Sequence, residues 1–178
     1  SYCRRFFSSG GAALRTVQTA LCDSSLVRIA TAYFEPTGWQ CLKETLKGKE
    51  VRLLIGRPDN AEDKIAEVID DFFSSLNTGT FEDRIMVMEE LRDAIAAGQF
   101  LINVSGEDYN GTTLGPRYIY HHAKLYIGDS ENAVVTSANF THHGLVSSRE
   151  AGIIITDPDD VFYFIERFDY YYNKAAPV

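Results

Sequence analysis

Short apolar segments rich in β-branched residues alternate along this chain with segments whose apolar residues recur at helical spacing. Such segments are typical of buried strands and of amphipathic helices, respectively. Because strands that alternate with helices pack as a sheet between helical layers, the pattern predicts an α/β fold. The predicted strands are 25–34, 50–56 and 99–105, and the predicted helices are 11–21, 36–48, two segments between Pro58 and Gly98, and one that begins at Asp157-Pro158.

Three of these helices carry an apolar stripe that we expect to face the sheet. The stripes are Ile65, Val68, Ile69, Phe72, Phe73 and Leu76 in the first, Ile85, Met88, Leu91 and Ile95 in the second, and Val161, Phe164, Ile165 and Phe168 in the last.

Three more strands are predicted close together, in the stretches HHAKLYIGD, NAVVTSAN and REAGIIIT. Because they are clustered, we expect this part of the sheet to be antiparallel. The expected architecture is therefore a mixed β-sheet sandwiched between helices. We find no internal repeat or linker and expect a single domain over residues 1–178. Since the first residue is not Met, we expect this domain to be a fragment of a longer protein.

The net charge of −8 argues against a nucleic-acid partner only if the charge is evenly spread. It is not, because residues 1–57 hold nine Lys and Arg against four Asp and Glu, whereas 59–93 is strongly acidic. A polyanion responds to the field at its binding site, so DNA or another nucleic acid remains a candidate partner. No apolar run approaches the roughly 18 residues that a membrane span requires. Three widely spaced cysteines favour neither disulfides nor a Cys-based zinc site, so we expect a cytoplasmic protein without a membrane partner.

All four histidines lie between His121 and His143, beside groups that bind phosphate. In a strand over HHAKLYIGD, His122, Lys124 and Tyr126 share one face, which we expect to be the polar face. An ammonium is a strong phosphate donor, and an adjacent imidazole can attack phosphorus or protonate a leaving oxygen. Residues 122 and 124 are therefore candidate catalytic residues.

Three polar residues follow this strand and complete the candidate site. Ser137 and Asn139 supply neutral hydrogen-bond donors for the same anion, although a turn role for Ser137 is equally compatible with its position. Glu150 opens the next strand, and we expect it to lie beside His122 and orient the imidazole, as the acid of a triad does. This set of residues requires no metal or other cofactor.

At these residues the chain resembles the phospholipase D superfamily, whose signature is His-x-Lys-x4-Asp, six residues, and Gly-Ser-x-Asn. The matching residues are His122, Lys124, Asp129, Thr136, Ser137 and Asn139, and Glu150 matches the acid that follows the signature in small bacterial nucleases of the superfamily. Thr136 departs from the usual glycine, which tightens the turn without removing a catalytic group. We expect Thr136 and Ser137 to contact substrate and Asp129 to be a structural turn residue.

The resemblance implies catalysis without a metal, through a phosphohistidine, with a second histidine that protonates the leaving oxygen. Two copies of the signature form one site in that superfamily, and this chain has one copy. A homodimer with His122 of both subunits facing the twofold axis is therefore implied.

Several neighbouring residues also have a simpler structural interpretation. We expect His121 and the His142-His143 pair to be structural, and a four-histidine metal cluster is a weaker alternative. Tyr33, Glu35 and Arg57 lie at strand ends, where they either line the site or simply end a strand. The tyrosine-rich stretch FDYYYNK is predicted to be a packing surface rather than a platform for stacked bases.

Compact members of the superfamily with a single signature are mostly nucleases, so a metal-independent DNA endonuclease is the leading expectation. One alternative is a helicase-associated module that binds nucleic acid or dimerises with little activity. Another is a phospholipase or other phosphodiesterase. The sequence does not distinguish DNA from RNA and gives no cleavage specificity.

Overall fold

The computed structural model describes residues 3–7, 11–56, 81–105, 107–108, 118–119, 121–129 and 131–177. Its strands are β1 (Cys3–Phe7), β2 (Leu26–Thr31), β3 (Glu50–Ile55), β4 (Phe100–Val104), β5 (Glu107–Asp108), β6 (Tyr118–Ile119), β7 (Leu125–Gly128), β8 (Asn132–Thr136), β9 (Ala151–Ile155) and β10 (Ala176–Pro177). Its α-helices are α1 (Ala12–Leu21), α2 (Pro36–Leu46), α3 (Phe81–Ala96) and α4 (Pro158–Lys174), and a π-helical turn spans His143–Ser147. Arg57 and the helix predicted after Pro58 lie outside the described residues.

Eight of the described strands form one mixed sheet in the order β1-β9-β8-β7-β2-β3-β4-β10. Strands β2, β3 and β4 run parallel to one another. Strands β7, β8, β9 and β1 are antiparallel to their neighbours, and Ala30 pairs with Leu125 where β2 meets β7. The prediction of an antiparallel part formed by the clustered strands is confirmed.

Helices cover both faces of this sheet, which confirms the predicted α/β class. On one face, apolar residues of α1, α2 and α3 pack in a core that includes Leu21, Trp39, Leu91 and Tyr126. On the other face, Phe168 of α4 is buried in a second core with Ala30, Leu54, Leu125, Ile127 and Val161. The central strands are therefore buried on both faces, as expected for continuous apolar runs.

The prediction that Tyr126 shares an exposed polar face with His122 is wrong. Strand β7 begins only at Leu125, and Tyr126 is fully buried in the core beneath α1 and α2. Alternation distinguishes a solvent face from a core face only where one side of a sheet is open, and here helices cover both sides. His122 and Lys124 instead belong to the irregular segment 121–124 that leads into β7.

The predicted core stripe of α3 is also partly wrong. Leu91 is buried, but Ile85 and Ile95 are more than two-fifths exposed, and Val87 lies in the core instead. The stripe is thus shifted around the helix, because several apolar residues of this helix fit a helical period in more than one register.

The last helix follows its prediction closely. Asp157 caps α4 by accepting hydrogen bonds from the N–H groups of Asp159 and Asp160, as expected for an N-cap aspartate. Val161 and Phe168 are buried, and Phe164 and Ile165 pack against them. Within the described residues, none of the helices combines the length and the hydropathy required to traverse a bilayer.

Candidate active site

The candidate residues gather at one edge of the sheet, where β2, β3 and β8 end and β7 and β9 begin. This is the carboxyl edge of the parallel strands, where ligands bind in open α/β sheets. The backbone N–H of Thr136 donates to the carbonyl of Lys124 at 3.2 Å, which joins the two signature segments.

The His122 imidazole and the Lys124 ammonium are in direct contact. Lys124 Nζ lies 3.1 Å from His122 Nδ1 and 3.3 Å from Nε2. An ammonium has only donors, so the ring nitrogen nearer to it is positioned to accept a hydrogen bond. His122 is exposed and Lys124 half-buried, so both are accessible to a substrate. A neutral imidazole is the form that can attack phosphorus.

Asn139 is held in one orientation by residues more than a hundred positions earlier in the chain. Its Oδ1 accepts hydrogen bonds from the backbone N–H of Tyr33 and from the hydroxyl of Thr31, both at 3.2 Å. Because a backbone N–H can only donate, the atom that it meets is the amide oxygen. In the described part of the chain, no atom accepts a hydrogen bond from Asn139 Nδ2. The amide is thus oriented with its two donors available to an anion.

Thr31 is the centre of this anchor. It is fully buried, and its hydroxyl lies 2.7 Å from the carbonyl oxygen of Tyr33 and accepts from the N–H of Phe140 at 3.0 Å. Fully buried Tyr126 supports the same turn by donating its hydroxyl to the carbonyl of Ala138 at 3.0 Å. These side chains position the turn without being candidate reactive groups.

Two glycines allow close backbone approaches at the site. A Cβ on Gly144, in the π-helical turn, would lie 2.4 Å from the carbonyl oxygen of Asn139. A Cβ on Gly56, directly after β3, would lie 2.0 Å from the carbonyl oxygen of His121. Real Cβ atoms are not found at such distances, so the positions of Asn139 and of the segment 121–124 both depend on glycine.

Glu150 contacts a different residue from the one predicted. The Ser137 hydroxyl donates to Glu150 Oε2, and Ser137 also accepts from the N–H of Ala151 at 3.1 Å. The prediction that Glu150 lies on the strand next to that of His122 is wrong, because β8 lies between β7 and β9.

The carboxylate nevertheless acts on Lys124 through space. Burial lowers the pKa of Lys124 below that of an ordinary lysine, and the negative charge of Glu150 opposes this by raising it. Burial, and secondarily the same charge, raise the pKa of Tyr126 well above its usual value. Glu150 is thus part of the electrostatic environment of the site.

The other signature residues make backbone contacts. Thr136, in the position of the usual glycine, donates its hydroxyl to the carbonyl of Ala151 at 2.8 Å and accepts from Ala138 N–H at 3.1 Å. Asp129 has a φ of 44°, and its carboxylate accepts from the N–H groups of Ser25 and Leu26 at 2.9 and 2.7 Å. Asp129 therefore ties the end of β7 to the start of β2, in line with a structural role.

The remaining histidines differ in environment. His121 is partly buried, and its ring lies 5.8 Å from that of Tyr171. Its Nε2 has no hydrogen-bond partner among the residues that the structure describes. Burial and the charges of His122 and Lys124 lower the pKa of His121. His142 and His143 are exposed, and His143 Nδ1 lies 2.6 Å from Ser147 Oγ in the π-helical turn.

A groove of about 620 Å³ opens at this edge of the sheet. Four predicted site residues line it, namely His122, Lys124, Thr136 and Ser137, and residues of α4 form its opposite wall. Asn139 and Glu150 are not among its lining residues, although Glu150 is bound to Ser137 at its border. Among the described residues, no group of three or more His, Cys, Asp or Glu side chains is arranged to hold a metal ion.

A family model described as "Cardiolipin synthase, PLD-like domain" matches residues 22–172, which include every residue of the signature. The chain belongs to the phospholipase D-like family. Members of this superfamily process phosphodiesters, and the chemistry of the His122–Lys124 pair agrees with such an activity. No curated protein sequence matches the chain.

Solved structures of the family share the fold at low sequence identity. NucT from Helicobacter pylori is 12% identical with a TM-score of 0.66, and the match covers 99% of this chain and 98% of NucT. Nuc from Salmonella typhimurium, described as a phospholipase D family member, is 19% identical with a TM-score of 0.61, covering 99% and 97%. Phosphatidylserine synthase from Haemophilus influenzae is 18% identical with a TM-score of 0.62, but only 39% of that chain is covered.

Proposed function

We propose that this protein is a metal-independent phosphodiesterase that cleaves DNA through a covalent phosphohistidine formed on His122. The observation that carries the proposal is the contact of 3.1 Å between the His122 imidazole and the Lys124 ammonium at the mouth of the groove. The contact places the nucleophile and a hydrogen-bond donor for phosphate next to each other, so that both can act on the same bound phosphodiester.

In the first step, a lone pair of a His122 ring nitrogen attacks phosphorus, a P–N bond forms and the P–O bond to the leaving group breaks. The Lys124 ammonium and the Asn139 amide donate to the non-bridging oxygens, whose negative charge increases during attack. Because these donors are fixed before substrate arrives, no metal is required to balance that charge.

The leaving oxygen must receive a proton, and we assign this role to the partner's His122. A single chain carries one copy of the signature, so a twofold dimer supplies the second imidazole. In the second step, water attacks the phosphohistidine, its proton passes to the partner's His122, and the P–N bond breaks. The active dimer therefore holds one neutral and one protonated imidazole.

DNA is favoured as the substrate by the architecture of the relatives. NucT and Nuc match this chain almost end to end, whereas the phosphatidylserine synthase is more than twice as long as the matched part. The superfamily enzymes that act on lipids usually carry two signatures in one long chain, and those with one signature are mostly nucleases.

The direct test is cleavage of plasmid DNA and of bis(p-nitrophenyl) phosphate in excess EDTA. We expect full activity, which His122→Ala abolishes and the neighbouring control His121→Ala does not. Activity that disappears in EDTA and returns with Mg²⁺ contradicts the mechanism, and binding of DNA without cleavage favours the helicase-associated binding module.

The shared site has a separate test by subunit mixing. After exchange of equal amounts of wild type and His122→Ala, only about one quarter of the dimers hold two histidines, so activity falls to about one quarter. Independent sites would retain about one half, and a fully active monomer in sedimentation would also rule out a shared site.

A further inference from the structure

Helix α4 presents a row of aromatic and basic side chains, of which Tyr163, Arg167 and Tyr171 line the groove. We name this row the α4 ridge; it consists of Tyr163, Arg167, Tyr170, Tyr171 and Lys174. Tyr163 is 56% exposed and Tyr170 is 47% exposed, which is unusual for aromatic side chains of a packed helix. In the stretch FDYYYNK, Tyr172 stacks on Phe168, whereas Tyr170 and Tyr171 are 47% and 40% exposed.

The ridge is an alternation of rings and cations. The Arg167 guanidinium lies 5.9 Å from the centre of the Tyr163 ring and 5.7 Å from that of Tyr170. Lys174 Nζ lies 4.2 Å from the centre of the same Tyr170 ring and 2.6 Å from its hydroxyl. Because Tyr163, Arg167, Tyr170 and Lys174 follow one another at spacings of three or four residues, they lie along one face of the helix over about 16 Å. Tyr171 lies beside Tyr170, with ring centres 5.1 Å apart.

Arg167 is a positive charge without a carboxylate partner in the described part of the chain. Asp169, an acidic residue of the same helix, pairs with Arg28 instead. The Arg28 guanidinium donates to the two carboxylate oxygens of Asp169 at 2.8 and 3.2 Å. Arg28 is only 9% exposed, so this pair fixes α4 against β2. The guanidinium of Arg167 thus retains its donors for an anion and is held by a rigid helix.

The ridge and the candidate active site line the same groove. Tyr163, Arg167 and Tyr171 form the wall opposite His122 and Lys124. Tyr171 also packs against His121, next to the catalytic histidine, at a ring-centre distance of 5.8 Å. A linear polymer bound at the site can therefore extend from His122 along the ridge.

We propose that the α4 ridge is a stacking track for the unpaired bases of a single-stranded polynucleotide whose phosphodiester is held at His122. This inference rests on the proposed function and names its substrate class. Exposed tyrosine rings offer flat faces to bases, and the cations between them match the phosphates. In a duplex both faces of each base are already covered by neighbouring pairs, so the ridge selects single strands.

A second copy of this chain is the other candidate occupant of the ridge, and it fits less well. A twofold contact of the ridge with itself would bring the Arg167 and Lys174 side chains of both copies into one interface. Like charges in such a contact repel, whereas a polyanion neutralises them. Charge complementarity therefore favours the nucleic acid.

The test measures binding by fluorescence anisotropy in the His122→Ala background, which prevents cleavage. The probes are a labelled thymidine single strand, a duplex of equal length, and a single strand of abasic tetrahydrofuran units with the same charge. Tyr163→Ala and Tyr171→Ala are compared with Phe162→Ala, because Phe162 has nearly the same exposure as Tyr163, 58% against 56%, but does not line the groove. Tyr163→Phe retains the ring and serves as a second control.

We expect Tyr163→Ala and Tyr171→Ala each to weaken binding of the thymidine strand by about tenfold, the scale of losing one base–aromatic stack. Binding of the duplex and of the abasic strand should change by less than about twofold, and Phe162→Ala and Tyr163→Phe should bind the thymidine strand normally. Equal losses on all three probes, or no difference between Tyr163→Ala and Phe162→Ala, overturn the proposal.

Sedimentation of the same variants decides the alternative occupant. If Tyr163→Ala or Tyr171→Ala converts a dimer into a monomer, the ridge is an interface between copies and the stacking track is refuted. Turnover of bis(p-nitrophenyl) phosphate by wild type is measured in parallel. Its absence contradicts the proposed catalysis, whereas the comparison of probes still decides the role of the ridge.

Discussion

The backbone N–H of Tyr33 donates a hydrogen bond to the side-chain oxygen of Asn139 across 106 positions of sequence. Because a backbone N–H can only donate, this contact identifies the oxygen of the Asn139 amide. The position of the amide nitrogen, which is the hydrogen-bond donor, is thereby fixed as well. The sequence carries no signal for the contact, because it involves the main chain of Tyr33 and not its side chain.

Replacing Asn139 by Asp distinguishes the hydrogen bonds that hold this side chain in place from those that it donates to the substrate. Asn139→Asp retains an acceptor for Tyr33 N–H and for Thr31, so the melting temperature should stay near that of wild type. The amide donors are lost and a negative charge faces the phosphate, so kcat should fall by at least about 10²- to 10³-fold. Steady-state kinetics and thermal unfolding measured together provide the check. A variant that keeps wild-type kcat would show that Asn139 does not bind the substrate.

Thr31→Val should reduce both stability and activity although Thr31 does not line the groove. The buried N–H of Phe140 loses its acceptor, which lowers the free energy of unfolding by about 1–3 kcal/mol. The Asn139 amide also loses one of its two anchors, and misplacement of a catalytic group by about 1 Å can reduce kcat on the order of 10²-fold. Denaturant unfolding and kinetics measure the two effects. Thr31→Ser retains the hydroxyl and should restore both, and failure of this rescue would contradict the hydrogen-bonding role.

Gly56→Ala should displace the segment that carries His122. The added Cβ would lie 2.0 Å from the carbonyl oxygen of His121, so the backbone of 121–124 must move. We expect a loss of about 1–3 kcal/mol in unfolding free energy and a fall in kcat on the order of 10²-fold. The matched control is Gly48→Ala, where the space is open but φ is +74°. That variant should lose about 1 kcal/mol of stability and retain wild-type kcat. If the two variants have the same kcat, the close approach at Gly56 is not what positions His122.

Glu150→Gln should shift the alkaline limit of activity. Lys124 donates to phosphate only while it is protonated, and its pKa is already lowered by burial. The charge of Glu150 raises that pKa, so removing the charge lowers it further and the ammonium is lost at a lower pH. The alkaline limb of the kcat profile should move to lower pH in Glu150→Gln, and an NMR titration of the Lys124 side chain should move with it. If the alkaline limb does not move, the charge of Glu150 has no effect on Lys124, and the role of Glu150 is its hydrogen bond with Ser137.

The fold and the signature residues were predictable from sequence because each depends on local pattern. Strands such as β2 and β3 are continuous apolar runs, and Asp157 precedes its helix in the usual capping position. His122 and Lys124 do meet as predicted, although they belong to the irregular segment before β7 and not to a strand. Errors arose where partners lie far apart in sequence or where a rule assumed an open sheet face. The sheet order that separates Glu150 from β7, and the helix that buries the second face of β7 beside Tyr126, are properties of the assembled chain.

Strand β1 pairs with β9, so that Cys3 lies opposite Ile155, about 150 positions away. On a ribosome that adds about 5–20 residues per second, roughly 8–30 s pass between the synthesis of these two strands. During that time β1 lacks its strand partner, since among the described strands of the sheet it lies at the edge and pairs only with β9. The two arginines of β1 give the unpaired segment a positive charge, which disfavours pairing with strands of other nascent chains. The sheet therefore closes late in biosynthesis, because β1 can join it only after β9 has been made.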